Sequence, residues 1–174
     1  TCALPILPMT VPRRIVSFLP SATEMACALG LEDQLLGVSH ECDYPPVVKT
    51  KNVVVHSALP IETMSQREID VAVSARLRDG KSLYEIDEAK VRTLAPDLIL
   101  TQHLCEVCAP SGNEVSQLLA RLPSKPQVLW LTPKCIAEIF DNLRELGAAT
   151  SRAVAAEALI AEGRARLEIG RAHV

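Results

Sequence analysis

Aromatic residues are scarce in this chain: Phe, Trp and Tyr make up 3% of its 174 residues, and they are Phe18, Tyr44, Tyr84, Trp130 and Phe140. A binding surface paved with flat rings is therefore excluded. Glycine is also sparse, at seven residues, and none falls in a phosphate-binding or dinucleotide-binding pattern; Gly30 and Gly37 read as helix-end and turn glycines. A dominant charge is missing as well. The net charge is −3, which supplies no basic field for nucleic acid. No apolar run approaches the roughly 20 residues that cross a bilayer. Nucleophile motifs are absent, so the chain reads as a protein that performs no catalysis. Six cysteines, at positions 2, 27, 42, 105, 108 and 135, are too few for a small disulfide-built scaffold, and only Cys105 and Cys108 stand at C-x-x-C spacing.

What is present is a folded-domain composition, 48% hydrophobic and 22% charged, in which strand and helix signals alternate. That alternation predicts an α/β domain with a mostly parallel five-stranded sheet and helices on both faces. Strands are expected at residues 14–19, 35–39, 53–55, 98–101 and 127–131. Ser21 with Glu24 reads as a capping box opening a helix that stops at Gly30. Ser65 with Glu68 repeats the pattern, followed by Ile69, Ala72, Val73 and Leu77 at helical spacing as far as Asp79-Gly80. Asp87 caps a helix carrying Val91 and Leu94 inward, and Ser111 with Glu114 opens another that runs to Leu122. Thr132-Pro133 supplies a cap and a first helical position for a helix with Ile136, Ile139, Phe140 and Leu143 as its buried stripe and Gly147 as its end. Cys27 and Cys135 are expected as small core residues within helices, and Trp130 as a core residue of the last strand. From Ser151 the chain becomes alanine-rich, with Val154, Leu159 and Ile160 on a narrow apolar face. This helix either covers the sheet or leaves the domain.

Three segments carry a family likeness: LPSATE at 19–24, GVSHECDYPP at 37–46, and residues 87–95 running into PDLIL at 96–100. They resemble the N-terminal lobe of the substrate-binding proteins that serve iron-siderophore, haem and vitamin B12 importers, and most closely the cobalamin-binding branch, which has a similar SDYPP loop. The likeness covers about residues 13–146. It implies one α/β lobe at residues 1–147, the beginning of an interlobe helix at 148–167, and a C-terminal lobe outside this chain. The closing residues 168–174, EIGRAHV, spell what a common sequencing adapter gives on translation and are expected to be foreign to the fold. The implied function is capture of a corrinoid (cobalamin) or related metal chelate between two lobes, by a monomer that then docks on an ABC-type permease. The implied compartment is the periplasm or cell surface; with Thr1 not an initiator residue, the cytoplasm stays open. Two positions depart from the cobalamin pattern. Glu41 stands where the B12 binder has an aromatic contact, and Ala89, beside Glu88, stands where the family places a docking carboxylate.

In open α/β sheets ligands sit outside the carboxyl ends of the strands, and the loops expected there are rich in soft and titratable groups. His40, Glu41, Cys42, Asp43 and Tyr44 follow the second strand, His56 the third, and Gln102, His103, Cys105 and Cys108 the fourth; Ser21 and Thr23 open the first helix. Ser21 is equally explained as a helix cap, and ligand contact by Ser21 and Thr23 rests on the resemblance. Tyr44 either stacks on a ligand or pins its loop. Cys42, Cys105 and Cys108 have the donor chemistry for zinc or another soft metal, or the C-x-x-C pair forms a disulfide, or the thiols line the pocket. These groups support a second functional reading, an intracellular thiol-dependent metal-binding or redox protein on the same scaffold.

Overall fold

The computed structural model describes residues 11–103, 109, 110 and 112–171. Its elements run β1 (Ile15–Ser17), α1 (Pro20–Ala28), β2 (Leu35–Ser39), β3 (Asn52–Ser57), α2 (Gln66–Arg78), β4 (Tyr84–Ile86), α3 (Glu88–Leu94), β5 (Leu98–Thr101), α4 (Gly112–Arg121), β6 (Gln127–Trp130), α5 (Ile136–Ala149) and α6 (Ala153–Arg171). The sheet order is β4-β3-β2-β1-β5-β6, and every pairing is parallel except β3 with β4. The sheet therefore has six strands rather than five. The added strand, Tyr84–Ile86, is three residues long with Glu85 at its centre, too short to announce itself by periodicity. It pairs antiparallel on β3, placing Tyr84 opposite Ser57.

The central strands β1 and β5 contribute to two separate cores because successive side chains alternate faces. Ile15, Leu98 and Leu100 join α1, α5 and α6 on one face, while Val16, Phe18 and Ile99 join Val91 of α3 and Val115 and Leu118 of α4 on the other. Helices on both faces are thus a property of the fold. At the amino edge, the Asp97 carboxylate accepts hydrogen bonds from the Arg13 and Arg14 amides at 2.9 and 3.0 Å, and Arg14 Nε donates to the Leu94 carbonyl at 2.8 Å. The aspartate of PDLIL is therefore a clasp between the entries of β1 and β5.

Local signals fared unevenly. The Ser65–Glu68 box forms as expected, with the Glu68 amide and the Ser65 hydroxyl in contact at 3.4 Å and the Ser65 amide donating to Glu68 Oε2 at 2.8 Å. Asp87 caps α3 through the Lys90 amide at 2.9 Å. The Ser21–Glu24 box does not form: α1 starts at Pro20 with Leu19 as its N-cap and no side-chain cap, because proline at the first helical position sets the start two residues earlier. Thr132-Pro133 does not open α5 either. That helix begins at Ile136 with Cys135 as N-cap, and Cys135 is exposed rather than a core residue. Ile136 and Ile139, expected on the buried stripe, are exposed, while Leu143 and Leu146 are buried. The helix that opens near Ser111 spans Gly112–Arg121; Ser111 itself lies outside the described residues. Helix α2 follows the expected spacing, but none of its residues is fully buried.

Gly147 does not end its helix. Helix α5 runs to Ala149 and turns through Ser151, whose φ is +58°, into α6. A Cβ on Gly147 would lie 2.6 Å from the Ala156 Cβ and 3.2 Å from the Arg152 carbonyl oxygen. Glycine is required there by the close approach of the two helices. Ala156 and Ile160 of α6 are buried in the first core, so the alanine-rich helix covers the lobe, and Arg144 of α5 reaches Glu157 of α6 at 2.6 Å.

Two stability outcomes follow from these contacts. Gly147→Val is expected to destabilise the protein by about 2 kcal/mol, overpacking outweighing the gain in helix propensity, seen as a lower urea midpoint at unchanged slope. Ser65→Ala is expected to cost about 1 kcal/mol, whereas Ser21→Ala, which removes no cap, stays within about 0.5 kcal/mol; chemical denaturation of both variants checks the difference.

Candidate functional site

The chain direction reverses across the sheet beside β1: β2, β3 and β4 build outward on one side, β5 and β6 on the other. The carboxyl ends of β1 and β5 therefore flank a topological switch point, where the diverging connections leave a crevice. Small polar residues finish the three strands there. Ser17, Ser39 and Thr101 are all buried. The Ser17 hydroxyl donates to the Leu19 carbonyl at 3.0 Å, and the Thr101 hydroxyl has no hydrogen-bond partner among the described residues.

Two side-chain groups stand along this edge. On the β2 side, His40 is half-buried with Nδ1 3.2 Å from the Val55 carbonyl oxygen. A neutral His40 donates from Nδ1 to that carbonyl and keeps Nε2 as an acceptor. Its ring lies 6.2 Å from that of Tyr84, and the Tyr84 hydroxyl reaches both Glu41 carboxylate oxygens at 3.3 Å. The antiparallel strand β4 is what brings Tyr84 to this edge. On the β5 side, exposed His103 stands edge-on to Trp130 with ring centroids 5.9 Å apart at 75°. Its amide donates to Thr132 Oγ1 at 3.3 Å. Gly112, the first residue of α4, makes room for the imidazole: a Cβ there would fall 2.3 Å from His103 Cδ2.

Several expected site residues are placed elsewhere. Thr23 is fully buried, with Oγ1 3.2 Å from Cys42 Sγ, so its side chain is consumed in packing α1 against the β2 loop. Cys42 is buried too, and burial pushes its thiol above the ordinary range, opposed by the Thr23 hydrogen bond. Cys27 is raised chiefly by burial as well, with the Glu32 carboxylate adding to it. His56 does not follow β3 but sits within it, exposed and opposite Glu85. Tyr44, 62% exposed, lines a groove against α1, Leu143 and Leu159. Ser21 and Asp43 are exposed and Gln102 is half-buried. Cys105 and Cys108 lie outside the described residues. Among the described residues no three His, Cys, Asp or Glu side chains are grouped to hold a metal ion.

Tyr84, Trp130 and Gly112 were missed as edge residues. Trp130, expected in the core, is 36% exposed because it is the last residue of edge strand β6. A tryptophan closing a strand just before Thr-Pro was the available signal; for Tyr84 the three-residue strand left none.

No family model matches the chain. It is 30% identical over 134 residues to the vitamin B12-binding protein of Vibrio cholerae, covering 76% of this chain and 36% of that protein. It is 28% identical over 136 residues to the vitamin B12-binding protein of Pectobacterium atrosepticum, covering 78% and 37%. The chain thus spans little more than a third of the length of these relatives. Among solved structures it superposes on the periplasmic vitamin B12-binding protein of Vibrio cholerae with a TM-score of 0.66 at 25% identity, covering 93% of this chain and 51% of that one. A periplasmic haem-binding protein from Pseudomonas aeruginosa gives a TM-score of 0.66 at 23% identity, covering 91% and 45%; this second likeness is one of fold. The similar proteins are binding proteins by name, not enzymes.

The burial pattern predicts a rank order of thiol reactivity. Under native conditions Cys135 is expected to be alkylated at least about tenfold faster than Cys27 and Cys42, which are buried and disfavoured as thiolates. Timed iodoacetamide labelling with peptide mapping reads each site separately.

Proposed function

We propose that this chain, one lobe of a substrate-binding protein related to the vitamin B12-binding proteins, forms half of a cleft that captures a metal chelate, a corrinoid or a related macrocycle, for an ABC-type importer. The observation that carries this is the pairing of a soft, ring-bearing edge with the switch point of the fold that those relatives share. Trp130 and His103 offer an apolar edge and an imidazole to a flat ligand. His40 Nε2 and the Glu41 carboxylate offer an acceptor pair to ligand amides or to a metal's open position. Ser21 and Gln102, flanking the crevice at the ends of β1 and β5, complete the polar rim.

In this reading α6 is the connecting element to a second lobe, which supplies the opposite wall of the cleft. A rigid helical connection permits a smaller closure than a flexible linker. The compartment is the periplasm, where the permease is reached. The ligand is held without chemical change, so catalysis has no part in the mechanism. Of the donors behind the thiol-dependent alternative, Cys42 is buried and engaged with Thr23, while Cys105 and Cys108 lie outside the described residues.

Calorimetric titration of cobalamin into a form of the protein extended through the second lobe is expected to give one-to-one binding. His103→Ala and Trp130→Ala are each expected to weaken it by about fivefold to tenfold, in line with removing a ring contact of about 1–1.5 kcal/mol. Gly112→Ala, which displaces the His103 ring, is expected to weaken it similarly with the fold intact. Absence of binding to cobalamin, haem and a ferric siderophore by well-folded protein overturns the proposal.

A further inference from the structure

On the face covered by α1, α5 and α6, a cavity of about 440 Å³ opens to solvent. Its floor is apolar, from Met25 of α1, Leu143 of α5 and Leu159 of α6, and Tyr44 forms one wall. Glu24 and Glu32 add two acidic residues to the lining, and no Lys or Arg lines it among the described residues. The Lys51 ammonium lies beside the lining and donates to the Glu32 carbonyl oxygen at 2.6 Å. The Tyr44 ring remains largely exposed within this wall.

We propose that this cavity is a second binding site, for a compact organic cation with an apolar body, an alkyl- or arylalkylammonium. Its volume falls in the range of small-molecule sites, roughly 300–1,000 Å³. The apolar floor removes the ligand's hydrocarbon from water, while the carboxylates and the face of Tyr44 both attract a positive head group. A neutral ligand of the same shape gains only the first of these. The site is built wholly from this lobe, so it stands independently of the cleft function. Its wall residue Tyr44 follows the His40–Asp43 stretch directly, which places the second ligand behind the loop that serves the first.

The test is methyl-detected NMR of the 174-residue chain titrated in parallel with benzylammonium and with benzyl alcohol. Saturable shifts are expected at the Met25, Leu143 and Leu159 methyls, with benzylammonium bound at least about fivefold more tightly, the scale of one exposed cation–π or ion contact. Combining Glu24→Gln with Glu32→Gln is expected to remove most of that preference. Ala28→Phe, at an exposed lining position, is expected to abolish both sets of shifts while leaving the other methyl resonances in place. Equal affinity for the two probes, shifts that persist in Ala28→Phe, or no saturable shift at these methyls in the folded protein each overturns the proposal. A failed cobalamin titration leaves this result untouched.

Discussion

The position of β1 between β2 and β5 is the constraint on which the remaining architecture rests. Its three residues, Ile15–Ser17, are completely buried and all pair in parallel with β5, and Ile15 and Val16 pair in parallel with β2 as well. So short a strand has little register information of its own. The Asp97 clasp on the Arg13 and Arg14 amides supplies it from the amino edge, and the Phe18 amide, donating to the Leu100 carbonyl at 2.9 Å, continues the ladder at the other. A slip by one residue would exchange Ile15 and Val16 between the two cores and move Ser17 away from the crevice.

From that seam the division of labour across the molecule follows. The α1–α5–α6 side holds the larger core, with its tightest contact at Gly147, and the other side is closed by α3 and α4. Both cores reach the carboxyl edge, the first through Cys42 and Leu131 and the second through Tyr84, and exposed His103, Ile136 and Trp130 stand beyond them.

Most of the fold was legible in the sequence because it is written in local terms: apolar runs for β2 and β5, a β-branched run for β3, the Ser65 and Asp87 caps, the helical spacing of α2. The failures were tertiary. Ser21 satisfied a capping pattern that Pro20 pre-empted, and Gly147 resembled a helix end because glycine serves helix–helix contact and helix termination equally well. The site was less legible than the fold. Loop membership placed His40, Glu41 and His103 correctly at the edge, but side-chain direction is set by packing, which turned Thr23 and Cys42 inward and Tyr44 toward α1. Tyr84 arrives through an antiparallel strand that no short-range pattern announces.

The contact of Gly147 with Ala156 sits near the first residue of a long rod. Helix α6 has 19 residues, which at 1.5 Å per residue makes an arm of about 28 Å. Tilting that arm by about 5° about its packed end carries its tip through about 2.5 Å, by the same helix dimensions. One hydrogen atom in place of a methyl group at position 147 thereby fixes where the chain points nearly three nanometres away, an angular tolerance set by the smallest side chain in the protein.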